Sequence, residues 1–257
     1  MANDDTRGVT GADGPKPSVA PVMYVNTNDA LRAPLTVLAL LVPIGLLAEL
    51  LRAAGSAARE PVRQTLSDPL LTSLGQFFSL DRPWLAVALL AVGGLIVHVA
   101  GRYSWKPPAL RILALAFVWG FIWLVVRVAI GLASRQLHPD GLLGDGGLVV
   151  AGALQEELLF RAVILGGLLV MFGVLDMVDW VRYPLALGLS AAFFSLAHTG
   201  IVNHHPGAEV FAWPTFIERA LAGALYGYVF IRQGLAVCTL AHAGYNVALL
   251  MGLSRYV

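Results

Sequence analysis

Long apolar segments alternate with short polar ones along most of the chain. A transmembrane helix needs about 20 apolar residues, and seven segments reach or approach that length. We predict spans at about 33–51, 83–100, 110–132, 148–174, 183–198, 216–231 and 235–253. Leu70–Leu80 is apolar but too short to cross, and it is an eighth span only if it inserts. The pattern predicts an all-α fold, a polytopic transmembrane helix bundle of about 7–8 spans.

The polar positions divide the chain into three parts. Residues 1–30 are polar without periodicity, which predicts a disordered N-terminal tail. They lack the pattern of a cleavable signal peptide, so the first span is expected to direct insertion. Residues 31–147 form the N-terminal transmembrane helices, and 148–253 carry the motifs described below. The distribution of Arg and Lys in the loops favours a cytoplasmic N-terminus.

Composition supports a membrane location and excludes other classes of protein. The chain is 58% hydrophobic and 13% charged, whereas soluble domains are about 25% charged. We therefore predict an integral, multi-pass protein with membrane lipid as a partner, located in the cell membrane if the source is bacterial. A net charge of +1 without a basic patch argues against nucleic acid. The single cysteine, Cys238, rules out an intramolecular disulfide.

Two carboxylates and one guanidinium interrupt the fourth span in the sequence QEELLFR. Charges inside a membrane are costly and usually functional. Glu157 and Arg161 are four residues apart, in the order that favours an ion pair on one helix face. Glu156 instead shares its face with Phe160 and has no basic partner on its own helix. A desolvated, unpaired carboxylate is a good proton acceptor. The alternative is that both glutamates only join helices, for example Glu156 to Arg127.

Two further motifs lie on later spans. Phe194 and His198 are four residues apart at the end of the fifth, and His242 and Asn246 are four apart on the seventh. Helix bundles build sites from inward side chains on facing helices. Glu and His can accept and return a proton, while His and Asn can donate to an oxyanion. This set suits the activation of water. The other histidines have structural or solvated explanations: His98, His138, His204 and His205.

Together the motifs EExxxR, FxxxH and HxxxN resemble the CPBP (Abi) family of intramembrane proteases, which includes the type II CAAX prenyl endopeptidases. The resemblance covers about 148–253. It implies a helical membrane bundle whose active site lies in a water-accessible cavity. It also implies that Glu156 with His198 activates water and that His242 with Asn246 stabilises the oxyanion.

By the same resemblance, Glu157 and Arg161 hold the architecture of the site. The implied activity is endopeptidase cleavage of a membrane-associated protein or peptide, with a lipidated or membrane-anchored end as one option. A non-proteolytic membrane protein, which uses the polar cluster to bind an ion or ligand or as a scaffold, is the alternative.

Metal dependence is left open by the sequence. Two histidines, a carboxylate and a water suit catalytic zinc, and the candidate ligands are Glu156, Glu157, His198 and His242. Asn is a poor zinc ligand and suits an oxyanion hole, so a metal-free mechanism is favoured, with no cofactor. Zn²⁺ stays a possibility.

Other protease chemistries find little support in the sequence. HExxH, GxGD and GxSG motifs are absent. Cys238 shares a helix face with His242, which allows a thiol protease, but a lone buried cysteine is normally an inert small hydrophobe. Gly223 and Gly227 form a GxxxG pattern that indicates close helix packing. Glu218 and Arg219 begin the sixth span and fit either lipid headgroups or the site.

Overall fold

A computed structural model describes residues 27–58, 84–134, 146–202 and 210–251, and all regular elements in these ranges are helical. The helices are α1 Thr27–Arg32, α2 Pro34–Ala58, α3 Leu85–Ala100, α4 Leu110–Ser134, α5 Gly146–Glu157, α6 Gly166–Val174, α7 Asp179–Ala197, α8 Trp213–Gln233 and α9 Leu235–Leu250. A π-helical segment, Leu158–Leu165, connects α5 to α6. The predicted all-α fold is confirmed.

Several helices match the dimensions of a bilayer. By length and composition, the spans Pro34–Leu51, Leu110–Leu132, Val149–Val174 and Asp179–Ala197 can cross a membrane. Helices α3 and α9 are apolar but shorter, with 16 residues each. Helix α8 has 21 residues but carries Glu218 and Arg219. The protein is an integral membrane protein. The full count of seven or eight spans stays a prediction, and Leu70–Leu80 lies outside the described residues.

Helix α9 occupies the middle of the described bundle. It packs against α4 and α5 and also contacts α8. Its first two turns are almost entirely buried, including Leu235, Val237 and Cys238. A side chain on this helix therefore faces other helices and not lipid, which explains how a histidine is accommodated at this depth.

Helices α7 and α8 approach closely because α8 presents glycines to α7. A Cβ added at Gly223 would lie 3.2 Å from the Cα of Ala191, and one at Gly227 would lie 2.5 Å from Cδ1 of Leu187. Small residues allow such backbone approach in membrane bundles. The structure therefore agrees with the packing interpretation of GxxxG.

Helix α1 begins within the polar N-terminal segment of the sequence. A disordered tail was expected to residue 30, whereas α1 begins at Thr27. Arg32 stabilises this helix, because its guanidinium lies 2.7 Å from Asp29 and also donates to the carbonyl of Ile231 at 3.2 Å. Contact with the end of α8 thus orders residues whose local sequence is polar. Residues 1–26 lie outside the described ranges.

Candidate active site

Three helices bring the candidate residues together. Glu156 and Glu157 end α5, His198 caps the C-terminus of α7, and His242 lies in the second half of α9. All four side chains are buried, although Glu156, His198 and His242 keep 5–8% exposure. Residues separated by up to 86 positions in the chain thus meet in the interior of the bundle.

Glu157 is completely buried and its carboxylate is fully engaged. Oε1 lies 2.7 Å from Nδ1 of His242, while Oε2 lies 3.1 Å from Nε of Arg161 and 2.8 Å from Sγ of Cys238. The guanidinium of Arg161 also lies 4.6 Å from the centre of the Phe194 ring. Since a buried charge needs an opposite charge and hydrogen bonds, this environment stabilises an ionised Glu157.

Glu156 has a different environment, although it is the adjacent residue. Its Oε2 lies 3.9 Å from Nε2 of His198 and 3.8 Å from Nε2 of His242. These separations exceed hydrogen-bond length. The buried guanidinium of Arg219 is close enough to interact with Glu156 electrostatically. The carboxylate therefore faces two imidazoles across a gap and does not bond to them directly.

The partners of the two histidines fix the orientation of both rings. Nδ1 of His198 lies 2.8 Å from the carbonyl oxygen of Phe194, and a carbonyl can only accept. Nδ1 of His242 faces the carboxylate of Glu157 in the same way. Each Nδ1 therefore carries a hydrogen. In both rings Nε2 points toward Glu156, as a lone pair in the neutral imidazole or as an N–H in the imidazolium.

The π-helical segment places the other members of the first motif. Phe160 and Arg161 are both buried on it, and Phe160 meets Phe194 edge-on at 5.2 Å between ring centres. The hydroxyl of Ser190 donates to the carbonyl of Phe160 at 2.8 Å, which ties the segment to α7. π-helical turns often occur at functional sites. Here the segment starts directly after the two glutamates.

The comparisons with known proteins bear on the same helices. Residues 143–248 match the family model described as "Type II CAAX prenyl endopeptidase Rce1-like". This segment is similar to the Rce1-like family. The curated proteins and the solved structures give no match to the chain. At the level of the family, the Rce1-like segment implies a CAAX-type intramembrane protease.

The Rce1-like segment contains each residue that the sequence motifs singled out. Asn246 lies one turn after His242 on α9 and is half-buried. Arg127 lies before the segment, on α4, and its Nη2 is 2.5 Å from Oε1 of Glu218. The suggested pairing of Arg127 with Glu156 is therefore wrong, because Arg127 on α4 pairs with Glu218 on α8 instead. Arg127 also covers the ring of Tyr245 at 4.2 Å.

Sequence reasoning missed several residues at the site. Tyr226 stacks on His242, with 4.7 Å between ring centres and 18° between planes. The sequence predicts Cys238 to be an inert buried residue, whereas its buried thiol donates to Glu157. The only signal in the sequence was the helical spacing of Cys238 and His242. His98 is buried elsewhere, against Trp105, and His138, His204 and His205 lie outside the described residues.

The four zinc candidates of the sequence, Glu156, Glu157, His198 and His242, all lie at this site. Within the described ranges, no group of three or more His, Cys, Asp and Glu side chains is arranged to hold a metal ion. Both oxygens of Glu157 already contact other side chains, Oε1 that of His242 and Oε2 those of Arg161 and Cys238. No catalytic step is therefore assigned to a metal.

Proposed function

We propose that the protein is an intramembrane endopeptidase that hydrolyses peptide bonds of membrane-associated proteins or peptides, with Glu156 and His198 activating water. The observation that carries this proposal is the gap between Oε2 of Glu156 and the two Nε2 atoms, at 3.8 and 3.9 Å. A water oxygen about 2.8 Å from each of two atoms can bridge separations of this size, and we place the reacting water between Glu156 and the two histidines.

The proton count of Glu156 and the two histidines assigns a role to each group. A water has two protons to donate, whereas Glu156 and both Nε2 atoms accept when the histidines are neutral. One additional proton on Nε2 of His242 makes that atom a donor and leaves Glu156 and His198 to accept from the water. His242 then lies between the carboxylates of Glu156 and Glu157.

Hydrolysis follows from this arrangement. Glu156 with His198 removes a proton as the water oxygen attacks the peptide carbonyl carbon, and the carbonyl oxygen becomes an oxyanion. Nε2–H of His242 and the amide of Asn246 donate to that oxyanion. The proton held by Glu156 and His198 passes to the leaving amine as the C–N bond breaks. The products are a carboxylic acid and an amine.

Glu157 and Arg161 support the reacting groups without contacting the substrate. The bond from His242 Nδ1 to Glu157 fixes the angle of the ring, as a carboxylate does for the histidine of a serine protease. Arg161 balances the charge of Glu157 at 3.1 Å. Glu157 is thus more than an architectural residue: it orients a catalytic one.

The substrate class follows from the family and from the location. CAAX-type proteases act on membrane-anchored, prenylated proteins or peptides, and the site lies on apolar helices within the bundle. We therefore propose a substrate whose lipidated or membrane-embedded end brings its scissile bond to Glu156.

The test is a comparison of membrane peptides by mass spectrometry in cells that carry the wild-type protein or Glu156→Gln. We expect peptides with new termini only with the wild-type protein, while both proteins insert to the same level. Equal cleavage by Glu156→Gln would contradict the mechanism. If the wild-type protein cleaves no peptide and Glu156→Gln keeps the cellular phenotype, the non-proteolytic alternative is correct.

A second experiment addresses zinc. Purified protein is analysed for bound metal and assayed with and without a strong chelator. We expect no stoichiometric zinc and undiminished cleavage. Loss of cleavage with the chelator, restored by added Zn²⁺, would show that the metal-free mechanism is wrong.

A further inference from the structure

Tyr226 on α8 contacts the face of the His242 imidazole. The two rings are nearly parallel at 4.7 Å, and Tyr226 is buried with only 1% exposure. Phe194 meets the same imidazole edge-on at 6.2 Å. His242 is therefore confined by ring contacts as well as by its bond to Glu157.

The contacts around His242 close into a ring of four residues. The thiol of Cys238 lies 2.8 Å from Oε2 of Glu157 and 3.1 Å from the backbone carbonyl of Tyr226. Glu157 holds Nδ1 of His242, and His242 stacks on Tyr226. A shift of Tyr226 would therefore disturb both contacts that orient His242. These are the stack with the Tyr226 side chain and the hydrogen bond with the Glu157 carboxylate.

A phenyl group at position 226 would be sufficient to stack on His242, yet Tyr226 also has a hydroxyl. Among the described residues, that hydroxyl has no hydrogen-bond partner, and neither do Nε and Nη1 of the buried Arg127. Tyr226 and Arg127 are close enough to interact electrostatically, together with Tyr245. Buried polar atoms nearly always have a partner. Here three buried donor atoms on two neighbouring side chains have none.

The charge of this region indicates which ligand fits. Arg127 is already neutralised by Glu218 at 2.5 Å, so an anion would meet the carboxylate of Glu218 without a free positive charge to balance it. A neutral molecule with lone pairs avoids this cost. Buried waters typically make two to four hydrogen bonds to such groups, and a water accepts from two donors at once.

We propose that Tyr226 is a positioning residue for His242 and that an ordered water, held between its hydroxyl and the Arg127 guanidinium, fixes its ring. The positioning part rests on the proposed hydrolytic function, whereas the water site does not. Arg127 lies outside the Rce1-like segment, so this water links an N-terminal helix to the catalytic histidine.

The water site is tested by radiolytic labelling of the full-length protein in detergent, with ¹⁸O-labelled water. Hydroxyl radicals form from bound water, so we expect Tyr226 to be labelled despite its burial. Phe172 is the control, because it is buried in an apolar cluster with Leu165 and Ala186. If Tyr226 is labelled as slowly as Phe172, after correction for side-chain reactivity, the site is dry and the proposal is wrong.

The positioning role is tested by kinetics of Tyr226→Phe and Tyr226→Leu. Loss of one hydrogen bond in Tyr226→Phe should lower kcat roughly three- to tenfold with KM unchanged. Loss of the stack in Tyr226→Leu should lower kcat by on the order of a hundredfold, as expected when a catalytic group is misplaced. The matched control is Tyr228→Phe on the same helix, whose ring is half exposed and meets Trp123.

The outcomes separate this proposal from the proposed function. If the wild-type protein cleaves nothing but Tyr226 is labelled, the protease function fails and the water site stands. If the wild-type protein cleaves and Tyr226→Leu keeps its kcat, the positioning role is wrong while the protease function stands. Tyr228→Phe should match the wild-type protein in kcat, KM and thermal unfolding.

Discussion

Two polar regions inside the bundle differ in how closely their charges approach. Around Arg127, opposite charges are in direct contact: the guanidinium is 2.5 Å from Glu218 and covers Tyr245 at 4.2 Å. Around Glu156, the nearest imidazole nitrogens stay 3.8 and 3.9 Å away. Charged groups that hold helices together can be in direct contact. Groups that act on a reactant must leave room for it, and this spacing distinguishes the two regions better than their composition.

The largest effect on activity is expected from Glu156→Gln. The amide keeps the size of the side chain but cannot accept the proton of water, so kcat should fall by about 10²–10⁴, the usual contribution of a general base. The measurement is the rate of cleavage of a membrane-anchored peptide in detergent. Thermal unfolding of the variant should stay close to the wild-type value. A large drop in stability would place Glu156 with the structural pairs instead.

Glu157→Gln should affect activity and stability together. The amide weakens the orientation of His242 and leaves the charge of Arg161 buried without its partner, which typically costs about 3–5 kcal/mol. We expect a decrease in kcat of about a hundredfold, as for a misplaced catalytic group, and a lower unfolding temperature. If kcat and KM were unchanged, Glu157 would have no role in orienting His242.

The region around Arg127 should respond in the opposite way, with stability affected more than activity. Arg127→Met alone leaves Glu218 buried and unpaired, so it should destabilise the protein by about 3–5 kcal/mol. The double variant Arg127→Met with Glu218→Gln removes both charges and should recover most of that loss. In the double variant we expect kcat to fall less than tenfold, through Tyr226. The measurement compares thermal unfolding of both variants with their cleavage rates.

A loss of activity in the double variant as large as that of Glu156→Gln would remove the distinction between the two regions. It would mean that the direct ion pair takes part in the reaction.

Cys238→Ser should have the smallest effect. The hydroxyl of serine still donates to Glu157, so kcat should change by less than about threefold, within the value of one hydrogen bond. Cys238→Ala, which removes the donor, should be less active than Cys238→Ser. A complete loss of cleavage in Cys238→Ser would instead identify the thiol as the nucleophile.

The sequence predicts the helices well, since apolar length and motif spacing are local properties. The predicted spans overlap the helices from α2 to α9, and spacing within a helix correctly brings Glu157 near Arg161. Interactions between helices were harder to foresee. Nothing local indicates that Arg127 meets Glu218, or that Tyr226 stacks on His242. These contacts depend on how α4, α8 and α9 rotate about their axes when they pack.

The count of spans illustrates another limit. The sequence predicts a span at 216–231, although Glu218 and Arg219 lower the mean hydropathy of α8. Both side chains are accommodated by partners inside the bundle, Arg127 for Glu218 and the electrostatic contact with Glu156 for Arg219. Glu218 and Arg219 therefore cost less free energy inside this bundle than they would in contact with lipid.

The π-helical segment separates two requirements that one continuous α-helix would couple. Before this segment, the last turn of α5 directs Glu156 and Glu157 toward the histidines. Leu165, the last residue of the segment, and Phe172 on α6 pack with Ala186 of α7. Each residue of an α-helix turns by about 100°, so deleting one residue from 158–165 would rotate the downstream face away from α7. The wider turn of the π-helical segment changes the rotation of α6 about its axis relative to α5. The direction of the glutamates and the packing of α6 against α7 can therefore be set independently.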